Sequence, residues 1–255
     1  MYDFANLLFS GGGSRPCNAH CPYCIGRQID PRLNAANLGL FPPRNLDRFV
    51  ELIRACAIRQ VVFSGTNTDP QLYCHEQRLI GHLRGVLPGA QFSLHTNGRL
   101  ALHKLGIFNL YDRVTLSLPS FDSATYRRMM GVPGVPDLAQ ILRQARVPVK
   151  ISCVVTDDNA AGTGRFLEVC RSLGVRRVVL RKLYGERRPW RSLLPRNGLS
   201  LARRGAFRGN RVYDFDGMEV TLWDFERTQA TSINLFSTGV ISTSYLLASV
   251  GAARV

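Results

Sequence analysis

The sequence predicts an α/β protein in which an open, partial (β/α)6 barrel precedes a C-terminal antiparallel β extension. Short apolar runs alternate six times with longer amphipathic segments up to about residue 184. Such alternation implies parallel strands joined by right-handed crossovers, and six units are too few to close an eight-stranded barrel. Beyond residue 184 the alternation stops and strand-like runs follow one another. We therefore expect two parts, residues 1–184 and residues 185–255.

The six strand-then-helix units follow from the spacing of apolar residues. Buried strands are short apolar runs, whereas amphipathic helices repeat apolar residues every three or four positions. The predicted strands are 6–10, 60–65, 91–98, 113–119, 147–156 and 177–184. The predicted helices are 46–58, 71–86, 99–106, 123–130, 137–146 and 164–174. Asn45 stands before the first helix as a possible cap, and Asn97-Gly98 is a turn signal after the third strand.

The C-terminal part has a different character. Residues 185–211 are basic, rich in Pro and Gly, and weakly periodic. Three strands are predicted after them, at 218–226, 232–237 and 239–250, with a Thr-Gly turn between the last two. These strands make up the predicted antiparallel extension.

The positive charge is concentrated in one stretch. The chain carries a formal net charge of +15, and residues 171–211 hold 12 Arg and one Lys against a single acid, Glu186. A local field of this size favours an anionic partner such as a phosphate, a carboxylate or an RNA backbone. Arg187, Arg188 and Arg191 are candidates to clamp such a substrate. The alternative is a solvated basic face.

Composition and cysteine usage favour the cytoplasm. No run approaches the roughly 18 apolar residues of a membrane span, so no membrane partner is expected, and the N-terminus lacks the basic start of a signal peptide. The chain has seven cysteines, an odd number that fits a reducing compartment better than a disulfide-rich secreted protein.

Three cysteines, Cys17, Cys21 and Cys24, lie within eight residues directly after the first strand. A structural zinc site needs four ligands, so His20 or His75 would have to complete a Cys3His site. With the Arg-rich stretch, that alternative describes a zinc-stabilised nucleic-acid-binding protein. Three thiolates are also the number that holds three irons of a four-iron cluster and leaves the fourth iron open, whereas an electron-transfer cluster uses four cysteines. The position after a strand favours the cluster, because active sites of α/β barrels collect at strand carboxyl ends.

The motif Cys-Asn-Ala-His-Cys-Pro-Tyr-Cys resembles the signature of the radical S-adenosylmethionine (SAM) superfamily, including the aromatic residue before the last cysteine. The resemblance extends over about residues 5–184, and it is closest to the GTP cyclase-like and activase-like branches. It is carried further by the segments 61–70, 94–98, 114–131 and 149–159. The resemblance implies a partial (β/α)6 TIM-like barrel and a radical SAM enzyme.

The resemblance also implies a cofactor site. Cys17, Cys21 and Cys24 would ligate a four-iron four-sulfur ([4Fe-4S]) cluster, with S-adenosyl-L-methionine chelating the open iron. The backbone near Tyr23 would meet the adenine. The other implied SAM contacts are Ser64, Gly65 and Thr66, then Thr96 and Asn97, and finally Ser117, Ser152 and Arg181. Cleavage of SAM would give a 5'-deoxyadenosyl radical that abstracts hydrogen from the substrate, with electrons from a donor such as flavodoxin or ferredoxin. No further catalytic residue is assigned.

The sequence departs from the family pattern at two places. The second-strand motif reads Ser-Gly-Thr-Asn-Thr-Asp-Pro rather than Gly-Gly-Glu-Pro, so Asn67 and Asp69 are candidates either for substrate contacts or for a turn closing at Pro70. No cysteine follows Cys170, so we expect no auxiliary C-terminal cluster, which argues against the GTP cyclase itself. The expected substrate is an anionic, nucleotide-like or phosphorylated small molecule. The alternatives are a glycyl-radical activase and an enzyme that modifies a peptide or tRNA.

Overall fold

The computed structural model describes residues 2–194 and 202–244. The strands are β1 Phe4–Phe9, β2 Gln60–Gly65, β3 Gln91–Thr96, β4 Arg113–Ser117, β5 Val149–Val154, β6 Arg177–Arg181, β7 Ala202–Phe207, β8 Asn210–Phe215, β9 Met218–Trp223, β10 Ser232–Leu235 and β11 Ile241–Ser242. The α-helices are α1 Leu46–Ala55, α2 Glu76–Val86, α3 Leu105–Phe108, α4 Ser123–Met130, α5 Leu138–Gln144, α6 Thr163–Ser172 and α7 Trp190–Leu193. Across these residues every helix is too short or too polar to cross a lipid bilayer.

The predicted α/β alternation is confirmed. All six predicted strands are present as β1 to β6, and β2 matches its predicted bounds at both ends. The predicted helix 71–86 begins only at Glu76, because a 3-10 turn over Pro70–Leu72 precedes it. In place of the predicted helix 99–106 the structure has only the four-residue α3, Leu105–Phe108, which overlaps the predicted range at its end.

By their contacts, the residues form two compact units. Of the described residues, the first unit comprises 2–18, 24–95 and 231–244. In it β1, β2 and β3 are neighbouring parallel strands, and β10 lies parallel to β1 on the other side. The amphipathic helix α1 buries Leu46, Phe49, Val50 and Ile53, as expected for a helix covering a sheet.

Of the described residues, the second unit comprises 19–23, 96–194 and 202–230. Its parallel strands are β4, β5, β6 and β9, in that spatial order. β8 pairs antiparallel with β9, and β7 pairs antiparallel with β8. Because paired residues share a face of a sheet, Ser117, Ser152, Val179 and Thr221 form one row across the four parallel strands. The carboxyl ends of these strands share one edge of the unit.

The C-terminal extension differs in detail from the expectation. β7 pairs antiparallel with β8, and β8 with β9, but β7 and β8 arise from the basic segment in which no strand was expected. The predicted strand 218–226 is β9, which runs parallel to β6. Among the C-terminal strands that were predicted, only β10 and β11 pair antiparallel within the described part of the chain. The predicted strand 232–237 is β10, which runs parallel to β1. Of the predicted strand 239–250 only Ile241–Ser242 is observed, and residues 245–250 lie outside the described residues. The division at residue 184 stays a prediction.

Candidate functional site

In the first unit, the exit of β1 is fixed to the end of β2. The side-chain oxygen of Asn67 accepts hydrogen bonds from the Ser10 hydroxyl and from the backbone amide of Gly11, both at 3.0 Å. Gly11 must be glycine here, because a Cβ atom would lie 2.0 Å from the carbonyl oxygen of Pro16. Asn67 therefore positions the chain that leads to the first cysteine.

The same unit holds Cys17 and Cys24 near the carboxyl end of β2. The Thr68 hydroxyl donates to the carbonyl oxygen of Pro16, the residue before Cys17. The Cys24 thiol lies 3.9 Å from the carbonyl oxygen of Thr66. A Cβ on Gly26 would lie 2.1 Å from that oxygen, so the chain after Cys24 packs directly on the backbone beyond β2. Both ends of the cysteine segment 17–24 are thus anchored to one strand end.

In the second unit, the middle of the cysteine segment contacts the end of α4. The Cys21 thiol lies 3.7 Å from the sulfur of Met130, and the Tyr23 hydroxyl lies 3.5 Å from the same atom. The backbone amide of His20 donates to the carbonyl oxygen of Met130 at 2.8 Å. Gly131 ends α4 with a φ of 67°, and a Cβ there would lie 2.5 Å from the carbonyl oxygen of His20. This close approach seats the segment on the helix end.

The three thiols suit a thiolate-bound cluster by their chemistry. All seven cysteines lie within the described residues and none forms a disulfide; Cys17, Cys21 and Cys24 are each half-buried. By contrast, burial raises the pKa of Cys153 to about 12 and also raises that of Cys170, so these two are unreactive core residues. In residues 2–194 and 202–244 no group of three or more His, Cys, Asp or Glu side chains is gathered at metal-binding distances. The donor set fits a cluster by thiol number and accessibility.

Zinc ligation by His75 gains no support from its surroundings. In the first unit the Nε2 atom of His75 lies 3.2 Å from the carbonyl oxygen of Gly39. The ring stands edge-on to Phe41 and Tyr73, with centroid distances of 5.7 and 5.8 Å. His75 is therefore engaged with the loop before α1.

The implied SAM contacts of the first unit are at or just beyond the end of β2. Ser64 and Gly65 are half-buried and are the last two residues of the strand. Thr66 is buried, and both its backbone amide and its hydroxyl donate to the carbonyl oxygen of Phe9, at 2.8 and 3.1 Å. Asp69 is buried, and its carboxylate accepts from the backbone amide of Gln71 at 2.9 Å. This hydrogen bond forms the turn at Pro70 that the sequence offered as an alternative to substrate contact.

The implied SAM contacts of the second unit lie in a turn and along the sheet. The Thr96 hydroxyl accepts from Gly98, whose φ is 75°, and the Asn97 side-chain oxygen accepts from Arg99. This is the predicted Asn-Gly turn. Ser117 and Ser152 are paired across β4 and β5.

Arg181 joins this group at the end of β6. Its Nε atom donates to the Ser152 hydroxyl at 2.9 Å, and its guanidinium lies 5.0 Å from the ring centroid of Trp223. The hydrogen bond and the aromatic ring hold the guanidinium at the carboxyl edge of the unit. An arginine suits a carboxylate because its guanidinium can bond it bidentately.

Lys150 is a candidate site residue that sequence reasoning missed. It lies in β5 two positions before Ser152 and therefore on the same face. Desolvation and the neighbouring cations Arg181, Arg177, Arg113 and Arg208, in that order, lower the pKa of Lys150 from 10.5 to about 8. No carboxylate of the described residues pairs with it. The available signal was a lysine inside an otherwise apolar strand, flanked by Val149 and Ile151.

The Arg-rich stretch is partly neutralised in the second unit. Five of its cations pair with carboxylates at 3.7 Å or less: Arg171 with Asp216, Arg177 with Glu219, Lys182 with Asp224, Arg188 with Asp157 and Glu186, and Arg204 with Asp214. The two carboxylates raise the pKa of Arg188, so its charge is already compensated. Arg187 and Arg191 are exposed. The net charge read from the sequence thus overstates the local field.

These features define an α/β protein with three half-buried thiols in the segment that follows its first strand. The model of the radical SAM superfamily matches residues 14–159, more than half of the chain, and the protein therefore belongs to the radical SAM superfamily. This confirms the family that the cysteine motif indicated.

Two curated relatives, from Methanococcus aeolicus and Saccharolobus solfataricus, are both named "Probable GTP 3',8-cyclase". The chain is 28% identical to the first over 171 residues and 31% identical to the second over 179 residues. The alignments cover 62% and 66% of this chain and 54% of each relative. The chain thus spans about half the length of the curated relatives it matches.

The fold is also similar to a solved structure, that of Streptococcus suis SuiB bound to the precursor peptide SuiA. The TM-score is 0.56 at 16% identity, and the match covers 71% of this chain and 40% of SuiB. This similarity confirms the partial-barrel type of fold and, at such identity, carries nothing further.

Proposed function

We propose that the protein is a SAM-cleaving radical enzyme acting on an anionic, nucleotide-like substrate. The observation that carries the proposal is the cysteine segment, because half-buried thiols stand at both of its ends and the backbone beside each is bonded or packed against the end of β2. A segment fixed in this way can present thiolates to a cluster without rearrangement of the strand. Residues 1–184 would supply this machinery and residues 185–255 would complete the sheet.

The residues of this chain would have distinct tasks. Cys17, Cys21 and Cys24 would hold a [4Fe-4S] cluster, which in this family supplies the reductive cleavage of bound SAM to methionine and a 5'-deoxyadenosyl radical. Ser64, Gly65 and Thr66 would bind the amino end of SAM, and Arg181, held by Ser152 and Trp223, would bind a carboxylate. An electron donor of the flavodoxin or ferredoxin type would reduce the cluster, which fits a reducing compartment such as the cytoplasm.

An anionic substrate is supported by the polar face of the second unit. Lys150 and Arg181 lie on that face, and the described residues supply no carboxylate to Lys150. Buried or half-buried charges without a partner are costly, and an anionic ligand would remove that cost. The curated relatives are named for a reaction of GTP, and a nucleotide phosphate is the anion that we propose here.

The test of the proposed function is the formation of 5'-deoxyadenosine. We expect anaerobically purified protein, reconstituted with iron and sulfide and reduced with dithionite, to convert SAM to 5'-deoxyadenosine and methionine, measured by liquid chromatography. A colourless protein that binds one zinc ion and leaves SAM intact would contradict the proposal and would favour the zinc alternative.

Replacing Lys150 by methionine should weaken the binding of tripolyphosphate at least about tenfold at pH 7, because a hydrogen bond to a charged group is lost. In the unmodified protein the Lys150 ammonium is charged below its pKa of about 8, so binding should weaken as the pH rises through about 8. This loss of affinity with rising pH should be absent in K150M. Isothermal titration calorimetry measures both effects.

The matched control is Lys104→Met, which removes a half-buried lysine elsewhere in the same unit. It should retain both the affinity and the pH dependence. Equal affinity of K150M and the unmodified protein at pH 7 would rule out Lys150 as an anion contact.

A further inference from the structure

The turn between β7 and β8 is a rigid projection of the second unit. Arg208 and Gly209 have φ values of 49° and 78°, positive at both central positions as a type I′ hairpin turn requires. The carbonyl oxygen of Arg208 accepts from the amide of Gln229 and from the side chain of Asn210, both at 3.1 Å. A Cβ on Gly209 would lie 2.3 Å from the carbonyl oxygen of Arg227. The turn is thus locked against the loop that follows β9.

Asn210 ties this turn to the end of β9. The residue is buried, and its side-chain oxygen accepts from the amide of Asp224 at 2.7 Å. Its side-chain nitrogen donates to the Thr228 hydroxyl at 2.8 Å. A network of this kind leaves the neighbouring side chains little freedom to move.

Strand pairing puts Phe207 in the same row as Arg181. Phe207 is paired with Asn210, and Arg181 is paired with Trp223. Arg211 is paired with Leu222, which sets Asn210 opposite Trp223. Phe207, Asn210, Trp223 and Arg181 therefore share one face at the carboxyl ends of β6 and β9. The same face carries Ser152 and, near the amino end of β5, Lys150.

Phe207 is unusually exposed for an aromatic residue in this row. It is 46% exposed, the highest value among the large hydrophobic residues described. The guanidinium of Arg208 lies 5.0 Å from its ring centroid, a cation–π distance. Tyr184, after β6, is 39% exposed and stands edge-on to Phe225, after β9, with the ring centroids 5.7 Å apart. Phe207 and Trp223 thus each lie within cation–π distance of an arginine, and aromatic rings beside arginines are a combination that recognises nucleobases by stacking.

We propose that Phe207 and Arg208 form a stacking platform for the nucleobase of the substrate. The inference rests on the proposed function, because it requires that the anion bound near Lys150 be part of a nucleotide. The exposed part of the Phe207 ring would receive the base. The neighbouring guanidinium would add a cation–π contact and a hydrogen-bond donor for the base or its sugar-phosphate.

The test compares a ligand with a base and a ligand without one on the reconstituted holoenzyme. GTP and ATP are titrated beside tripolyphosphate. Phe207→Ala should weaken GTP and ATP binding about tenfold, as expected for loss of one stacked base, and should leave tripolyphosphate binding unchanged. Phe207→Trp should retain nucleotide affinity, because tryptophan offers a larger stacking surface. Leu110→Ala, at a residue 38% exposed in the same unit, is the matched control and should change neither.

The outcomes separate this inference from the proposed function. Unchanged GTP and ATP affinity in F207A overturns the stacking platform, whatever K150M does to tripolyphosphate. Equal losses for GTP and tripolyphosphate in F207A also overturn it, because they indicate a general disturbance of the site. A loss in F207A confined to a single-stranded RNA oligonucleotide, with GTP unaffected, would replace the nucleotide by a nucleic-acid partner. If K150M does not weaken tripolyphosphate binding, the proposed anion site is wrong, but the stacking platform is not contradicted.

Discussion

Alanine at position 24 should abolish the brown colour, the bound iron and the formation of 5'-deoxyadenosine. The Cys24 thiol is half-buried beside the carbonyl oxygen of Thr66, and the proposed cluster has three protein ligands. Removal of one leaves two thiolates, too few to hold a cluster whose fourth iron is open to SAM. Iron and sulfide analysis, the visible absorption spectrum and the 5'-deoxyadenosine assay measure the loss.

The matched control for C24A is Cys74→Ala in the same unit. Cys74 is exposed, so the same change of side chain removes a thiol without disturbing a packed site. C74A should retain iron, colour and activity. The cluster assignment is wrong if C24A binds as much iron as C74A and forms 5'-deoxyadenosine at the same rate.

The strands of the barrel could be predicted because each is a locally apolar run. Consecutive residues of Val61–Phe63 and of Val178–Leu180 are all buried, so both faces of these strands are covered. A strand covered on both faces is a continuous apolar run, which can be recognised without knowing which strands lie beside it. β7 is different. Its sequence, Ala-Arg-Arg-Gly-Ala-Phe, has no apolar run and is almost entirely exposed, so its strand state depends on pairing with β8.

The position of β10 in the sheet also depends on pairing that the local sequence does not reveal. Asn6 of β1 and Asn234 of β10 are joined by a buried side-chain hydrogen bond of 2.7 Å across 228 residues. The two segments are also paired in parallel register. A contact over such a sequence separation leaves no local pattern, so the sequence predicts the strand but not its neighbour.

The residues of the candidate site also differ in whether the sequence could predict them. The cysteines and the Asn97-Gly98 turn carry local spacing signals and could be found from the sequence. Asn67 was a candidate substrate contact, yet its oxygen accepts hydrogen bonds from Ser10 and Gly11, and any role in binding stays a prediction. Lys150 was missed because its importance depends on which cations face it, and this is decided by strand register rather than by its neighbours in the chain.

Removing one partner of the buried ion pair between Lys182 and Asp224 should destabilise the second unit strongly. The ammonium nitrogen lies 2.8 Å from a carboxylate oxygen, and the two side chains are 5% and 9% exposed. Asp224→Ala leaves a buried ammonium without its partner and should lower the free energy of unfolding by about 3–5 kcal/mol. Urea unfolding followed by circular dichroism measures the change.

Two further variants separate charge burial from other effects of this change. Lys182→Met combined with Asp224→Leu removes both charges at similar volume, and it should recover most of the lost stability, because a well-packed apolar pair is often neutral or stabilising. Glu51→Ala breaks the exposed Arg48–Glu51 pair, whose side chains are both 61% exposed, and should change stability by less than about 1 kcal/mol. If the double variant were as unstable as D224A, the loss would come from the contacts of Asp224 with the loop after β9, where its carboxylate accepts from the amide of Glu226 at 3.1 Å. Recovery in the double variant would instead place the cost in the unpaired ammonium, one residue from Arg181 at the edge that we propose as the substrate site.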